Sequence, residues 1–144
     1  MPSALVRALS ERMNVPIIDE TSIDAFMAAG AGEAEHTIIF FTGDPAQRGE
    51  TNDVAVVLPE ILQAFQGRLR GAVVRRGCED RLKSRFHVAV MPSLVVTRGH
   101  DIMGILPKVR DWLEYMDRIS AWLRPGAEPM TPPASQRLEI PHAG

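Results

Sequence analysis

The stretch His36–Thr42 (His-Thr-Ile-Ile-Phe-Phe-Thr) constrains this chain more than any other. It is β-branched and aromatic with no polar alternation, the pattern of a strand buried on both faces. A strand with no wet face needs a layer of structure on each side. The flanking sequence supplies those layers. Val15–Asp19 reads as a short strand, and Thr21-Ser22-Ile23-Asp24 opens a helix carrying Ile23, Phe26 and Met27 that should stop at Gly30 or Gly32. After Gly43-Asp44-Pro45 and a polar loop through Thr51, a helix follows with Val54, Val57, Leu58, Ile61, Leu62 and Phe65 at helical spacing and Pro59 inside it. Pro59 removes one backbone hydrogen bond and should kink that helix.

Arg70–Arg75 is a further strand and Cys78–Phe86 a short helix. Ser93–Thr97 and Asp101–Leu106 flank Arg98-Gly99-His100, a hairpin turn with glycine where φ can be positive. Val109, Trp112, Leu113, Met116, Ile119, Ser120 and Leu123 line a final helix ended by Pro125-Gly126, and Ala4–Met13 adds an amphipathic helix at the start. Strand–helix alternation closing on a hairpin gives an α/β fold: a central mixed β-sheet flanked by helices on both faces. Residues 1–124 form one domain. Residues 125–144 are proline-rich and poor in apolar side chains, and cannot bury enough surface to order themselves alone.

Several classes of function are disfavoured. No apolar run approaches the roughly 18–20 residues of a membrane span, so no membrane insertion is expected. Cys78 is the single cysteine and can form no internal disulfide, which with the absence of a secretory signal points to a cytoplasmic protein. His36, His87, His100 and His142 lack ligand spacing, so neither a metal nor a cofactor is expected. Gly43 and Gly49 are not followed by the Gly-Lys-Ser/Thr of a phosphate loop. The net charge of −2 conceals a segregation, with nine acids and one base over residues 17–60, then eight bases and two acids over residues 61–100. The two stretches either form partner-binding faces or offset each other in space. Nucleic acid is not the expected partner, because only Phe65 and Phe86 interrupt the basic stretch with aromatic rings.

Phe86-His87-Val88-Ala89-Val90-Met91-Pro92-Ser93-Leu94-Val95-Val96-Thr97-Arg98-Gly99 resembles the thioredoxin segment in which an apolar residue and a cis-proline enter a strand and a glycine turn. Pro59 matches the proline inside the second helix of that family, and Gly104-Ile105-Leu106 before an amphipathic helix completes the likeness over Val15 to Leu123. The chain thus resembles a thioredoxin-like fold. The dithiol is missing: counting back from Pro59, Thr51 and Val54 stand where Cys-x-x-Cys would be. The buried acid of the thioredoxin central strand is replaced by the run Ile38-Ile39-Phe40-Phe41. Disulfide exchange needs an attacking thiolate and a resolving thiol, and the chain has neither at these positions.

The central Phe-Phe-Thr-Gly-Asp-Pro segment, the long polar loop before Val57-Leu58-Pro59-Glu60, the cysteine-free helix start and the Met-Pro-Ser-Leu-Val loop resemble the HupG/HyaE family of hydrogenase expression/formation proteins. That resemblance implies a non-catalytic accessory chaperone in the maturation of the [NiFe] uptake hydrogenase. Its implied partners are the small-subunit precursor with its twin-arginine signal peptide, held before export, and other hydrogenase maturation proteins. The thioredoxin likeness makes Met91 and Pro92 the candidate peptide-binding backbone, by strand addition. Asp44, Glu50 and Asp53, near the helix start, are the candidate carboxylates for paired guanidinium groups, because arginine's planar fork matches a carboxylate with two parallel hydrogen bonds. Asp53 can equally act as a first-turn acid complementing the helix dipole. Two other functions remain open: a single-cysteine protein forming mixed disulfides through Cys78, and a scaffold bridging maturation proteins through its tail and charged faces.

Overall fold

The computed structural model describes residues 7–8, 11, 15–43 and 49–130. Most of the expected N-terminal helix lies outside these residues, as does Asp44; residues 7, 8 and 11 are helical. Five strands form one sheet: β1 (Ile17–Ile18), β2 (His36–Phe41), β3 (Arg70–Val74), β4 (Ser93–Arg98) and β5 (Asp101–Pro107). Their spatial order is β1-β3-β2-β4-β5, with β1–β3 and β2–β3 parallel and β2–β4 and β4–β5 antiparallel. Among the described residues from 15 onward the helices are α1 (Ile23–Met27), α2 (Gly49–Ala64), α3 (Glu79–Arg85) and α4 (Trp112–Trp122), with a 3₁₀ turn at Arg76–Cys78 before α3.

Every residue of β2 is buried, and its alternation serves two cores. Ile38 and Phe40 join Val54, Leu58 and Ile61 of α2 and Tyr115 and Ile119 of α4 on one face. Ile39 and Phe41 join Ile23 and Met27 of α1, Cys78, and Leu82 and Phe86 on the other. Burying a side chain of this size stabilises by about 1.5–3 kcal/mol, so the strand that reads as the most apolar is also the one with the most to gain from its place. The mid-sheet polar pair Thr37 and Thr97 is satisfied by a direct hydroxyl contact of 2.5 Å across β2 and β4.

The structure adjusts several boundaries. Helix α2 begins at Gly49, so Thr51 belongs to its first turn rather than to the preceding loop. Pro59 sits inside α2 and has no N–H to offer the carbonyl of Ala55. Helix α4 begins at Trp112, not Val109, after an extended Asp111. Val109 therefore lies before the helix, and Val109, Trp112 and Leu113 are exposed. The hairpin turn is as expected, with Gly99 at φ 57°. On β5, Gly104 is required for packing: a Cβ there would stand 2.0 Å from the Trp122 ring.

The segregated charges largely answer one another across the surface. Glu20 pairs with Arg81, Asp24 with Arg85, and Glu33 with Arg70. The Arg85 guanidinium lowers the Asp24 carboxyl below its ordinary range. Exposed pairs of this kind add little to stability, and their main effect is to leave the two stretches locally balanced. Residues 125–130 lie against the domain, with Arg98 Nη1 donating to Ala127 O at 2.8 Å and Met130 N to Ile102 O at 2.7 Å.

Candidate functional site

The Met91–Pro92 peptide bond is cis, as the sequence predicts. Pro92 is buried and Met91 half-buried, at the entry to β4. Two turns shape this corner, and each contains a non-glycine residue with positive φ: His87 at 60° and Lys108 at 61°. The left-handed region costs an L-residue roughly 1–2 kcal/mol, so such a conformation persists only where surrounding contacts hold it. For Lys108 those contacts are clear. Its N–H donates to Pro92 O at 2.8 Å, and its ammonium stands 3.6 Å from Glu50 Oε1 in the first turn of α2. One residue therefore ties the cis-proline loop, the β5–α4 connection and the start of α2 together. Exposed apolar side chains follow it directly: Val109, Trp112 and Leu113.

Of the candidate residues, Pro92 and Glu50 are joined through Lys108, Met91 precedes Pro92 across the cis bond, and Asp53 is exposed one helical turn beyond Glu50. Asp44 lies outside the described residues. Glu50 is already paired, so an incoming guanidinium has to compete with the Lys108 ammonium. The positions of the missing dithiol are both internal. Thr51 is fully buried and its hydroxyl donates to Thr42 O at 2.6 Å, while Val54 is in the core. Cys78 is also buried; its thiol donates to Glu20 Oε1, and Arg75 Nη2 donates to its sulfur at 3.3 Å.

Two site residues escape the sequence reading. Lys108 is one. The other is Glu79, 4 % exposed, which opens α3. Its Oε2 accepts from Thr42 N at 2.7 Å, Gly43 N at 3.1 Å and Thr42 Oγ1 at 2.9 Å, at the point where β2 runs into the loop before α2. Burial pushes the Glu79 carboxyl up, against the opposing pull of those donors. The central strand has no acid, yet the fold has a buried carboxylate at its end, delivered by a different element. An acid just after a Gly-Cys pair at a helix start is the only sequence signal for it, and that pattern more often marks an exposed first-turn acid.

The site combines a cis-proline corner, acidic side chains and exposed apolar ones; among the described residues no group of three His, Cys, Asp or Glu is placed to hold a metal ion. Residues 5–115 match the family model described as Hydrogenase-1 expression protein HyaE. The chain belongs to the HyaE family. Among its relatives in this family, the hydrogenase expression/formation protein HupG of Rhizobium leguminosarum bv. viciae is 62% identical over 144 residues, covering 100% of this chain and 97% of the relative. The hydrogenase expression/formation protein HoxO of Azotobacter vinelandii is 36% identical over 83% of this chain and 77% of its own length. A crystal structure described as hydrogenase expression/formation protein hupG from Rhodopseudomonas palustris superposes with a TM-score of 0.53 at 41% identity, over 75% of this chain and 94% of that one. A yeast mitochondrial 1-Cys peroxiredoxin superposes with a TM-score of 0.60 at 12% identity, over 75% of this chain and 96% of that one, which shows the shared thioredoxin-like fold and nothing further. This HyaE-family chain is thus a hydrogenase expression/formation protein on a thioredoxin-like scaffold. No helix among its described residues is long and apolar enough to cross a membrane.

Proposed function

We propose that this protein is a non-catalytic chaperone of hydrogenase maturation that binds the small-subunit precursor through its twin-arginine signal peptide, in the cytoplasm and before export. The observation that carries this reading is the double contact of Lys108, which joins Pro92 and Glu50 beside exposed Val109, Trp112 and Leu113. A twin-arginine signal presents two guanidinium groups next to an apolar segment. Its receptor should offer carboxylates beside an apolar surface; Glu50, held by Lys108, and Asp53 one turn along α2 supply the carboxylates, and Val109, Trp112 and Leu113, which follow Lys108 in the chain, supply exposed apolar side chains. Arginine can displace lysine from Glu50, because a guanidinium makes two parallel hydrogen bonds where an ammonium acts as a point charge. Met91 and Pro92 serve as the backbone rim against which the extended peptide lies. A thiol function through Cys78 gains no support from its burial.

Pull-down of precursor carrying or lacking its signal peptide tests this reading. Capture that depends on the signal supports it. Equal capture of both forms shifts recognition to the mature subunit, and capture of neither, with maturation proteins retained instead, favours a scaffold.

A further inference from the structure

Beside the cis-proline loop, a groove of about 400 Å³ opens along the edge strand β5. Ala89, Val90, Ile105 and Pro107 give it apolar walls; Arg110 and Arg118 stand at its rim, and Arg118 Nη1 is paired with Glu114 Oε2 at 3.3 Å, so an incoming carboxylate finds Arg110 and competes for Arg118. Val90 is 40% exposed, a large apolar side chain with water on one side. No acidic residue lines the groove, so it is a poor seat for a twin-arginine motif and a good one for an apolar segment bearing a carboxylate.

The chain itself holds such a segment within reach. Its last described residue, Met130, is pinned to β5 through Ile102 O, and Arg98 holds Ala127 just before it. Residues 131–144 lie outside the described residues, and they begin Thr131-Pro132-Pro133. Two consecutive prolines have no N–H to extend pairing along a sheet edge, and they favour an extended spacer. Farther on, Leu138-Glu139-Ile140 alternates apolar and acidic side chains. From Ile102 to Pro107 the strand advances roughly 17 Å at about 3.3–3.4 Å per residue. The eight residues from Met130 to Leu138 can span up to about 26 Å, which is ample.

We propose that this groove is the docking site of the chain's own tail, with Leu138 and Ile140 against Val90 and Ile105 and Glu139 facing Arg110 and Arg118. In an extended segment Leu138 and Ile140 point the same way and Glu139 the other, which matches an apolar wall under a cationic rim. Arg137 opposes the charge match and gives the proposal a test of sign.

The test uses the full chain with Ser135→Cys carrying a nitroxide; buried Cys78 stays unlabelled in the native protein. Paramagnetic broadening is read on the backbone amides, with the unperturbed spectrum of the core confirming the fold. Selective loss of the Ala89, Val90 and Ile105 signals is expected. Leu138→Asp with Ile140→Asp should restore those signals, Arg110→Glu with Arg118→Glu should weaken the broadening, and Arg137→Glu should deepen it. Uniform broadening, or selective broadening indifferent to the Leu138 and Ile140 changes, overturns the proposal. Mixing isotope-labelled chain lacking the nitroxide with unlabelled chain carrying it should give no selective loss; a loss there assigns the groove to a second copy and also overturns it.

Discussion

Removing the Glu79 carboxylate is expected to damage the junction of β2 and the loop before α2 more than any exposed acid could. Glu79→Ala deletes the acceptor of Thr42 N and Gly43 N, while the Thr42 hydroxyl can turn to Gly43 O, 3.2 Å away. Two buried N–H groups are then left without a partner, at about 1–3 kcal/mol each. Relief of the burial of a charged group offsets part of that, so a net loss of about 2–4 kcal/mol is expected. For a domain of this size that corresponds to a fall in Tm of roughly 6–12 °C. Glu79→Gln keeps an oxygen acceptor and should lose about 1 kcal/mol. The pH dependence carries the sharper test. Because burial raises the folded-state pKa of Glu79, the native state holds this proton more tightly than the unfolded chain, whose glutamates titrate near about 4.3. The pH-dependent part of what Glu79 contributes is fully present below that value and is lost as pH rises through the folded pKa, while its hydrogen bonds to Thr42 and Gly43 remain. The lead of the wild type over Glu79→Gln should therefore narrow from about pH 4 upward, measured by urea unfolding at a series of pH values. A lead that widens with pH, or a Glu79→Ala variant that melts with the wild type, refutes the reasoning.

Gly104→Ala should cost about 1–3 kcal/mol by driving a methyl into the Trp122 ring, and Trp122→Leu in the same chain should recover part of it; denaturant midpoints of the single and double variants check this. His36 is buried, its Nε2 has no partner among the described residues, and burial lowers its pKa, so the unfolded chain protonates first as pH falls. Stability should then decline below about pH 6.5, and His36→Phe should flatten that part of the profile in thermal melts. Lys108→Gly should relieve the left-handed backbone by roughly 1 kcal/mol and raise Tm slightly. The same change frees Glu50, so signal-peptide affinity should rise or hold in fluorescence titration; a lower Tm would show that the ammonium contact outweighs the strain.

The parts of this fold that are legible in the sequence are those governed by local pattern. The unbroken apolar run of β2, the glycine of the β4–β5 turn and the Met91-Pro92 entry to β4 each carry their own signal, and each appears where expected. What stays illegible depends on partners distant in sequence. Glu79 reads as an ordinary helix-start acid until Thr42 and Gly43 arrive beside it, and Lys108 reads as a surface lysine until its backbone meets Pro92 and its ammonium meets Glu50. The apolar spacing from Val109 to Leu123 overstates α4, because Val109 precedes an extended Asp111. The charge segregation is visible as composition, but its local neutralisation through Glu20–Arg81 and Asp24–Arg85 is visible only in three dimensions.

On the proposed reading, Asp44, Glu50 and Asp53 take the guanidinium groups of a twin-arginine signal. Titrating a labelled signal peptide against the wild type and a triple variant, Asp44→Asn with Glu50→Gln and Asp53→Asn, at low and high salt tests it most directly. Exposed pairs contribute roughly 0.2–1 kcal/mol each, so the triple change should weaken binding several-fold at low salt. Salt should weaken the wild type more than the variant, since screening acts within about 8–10 Å at physiological strength. Equal affinity in all four conditions would contradict the account.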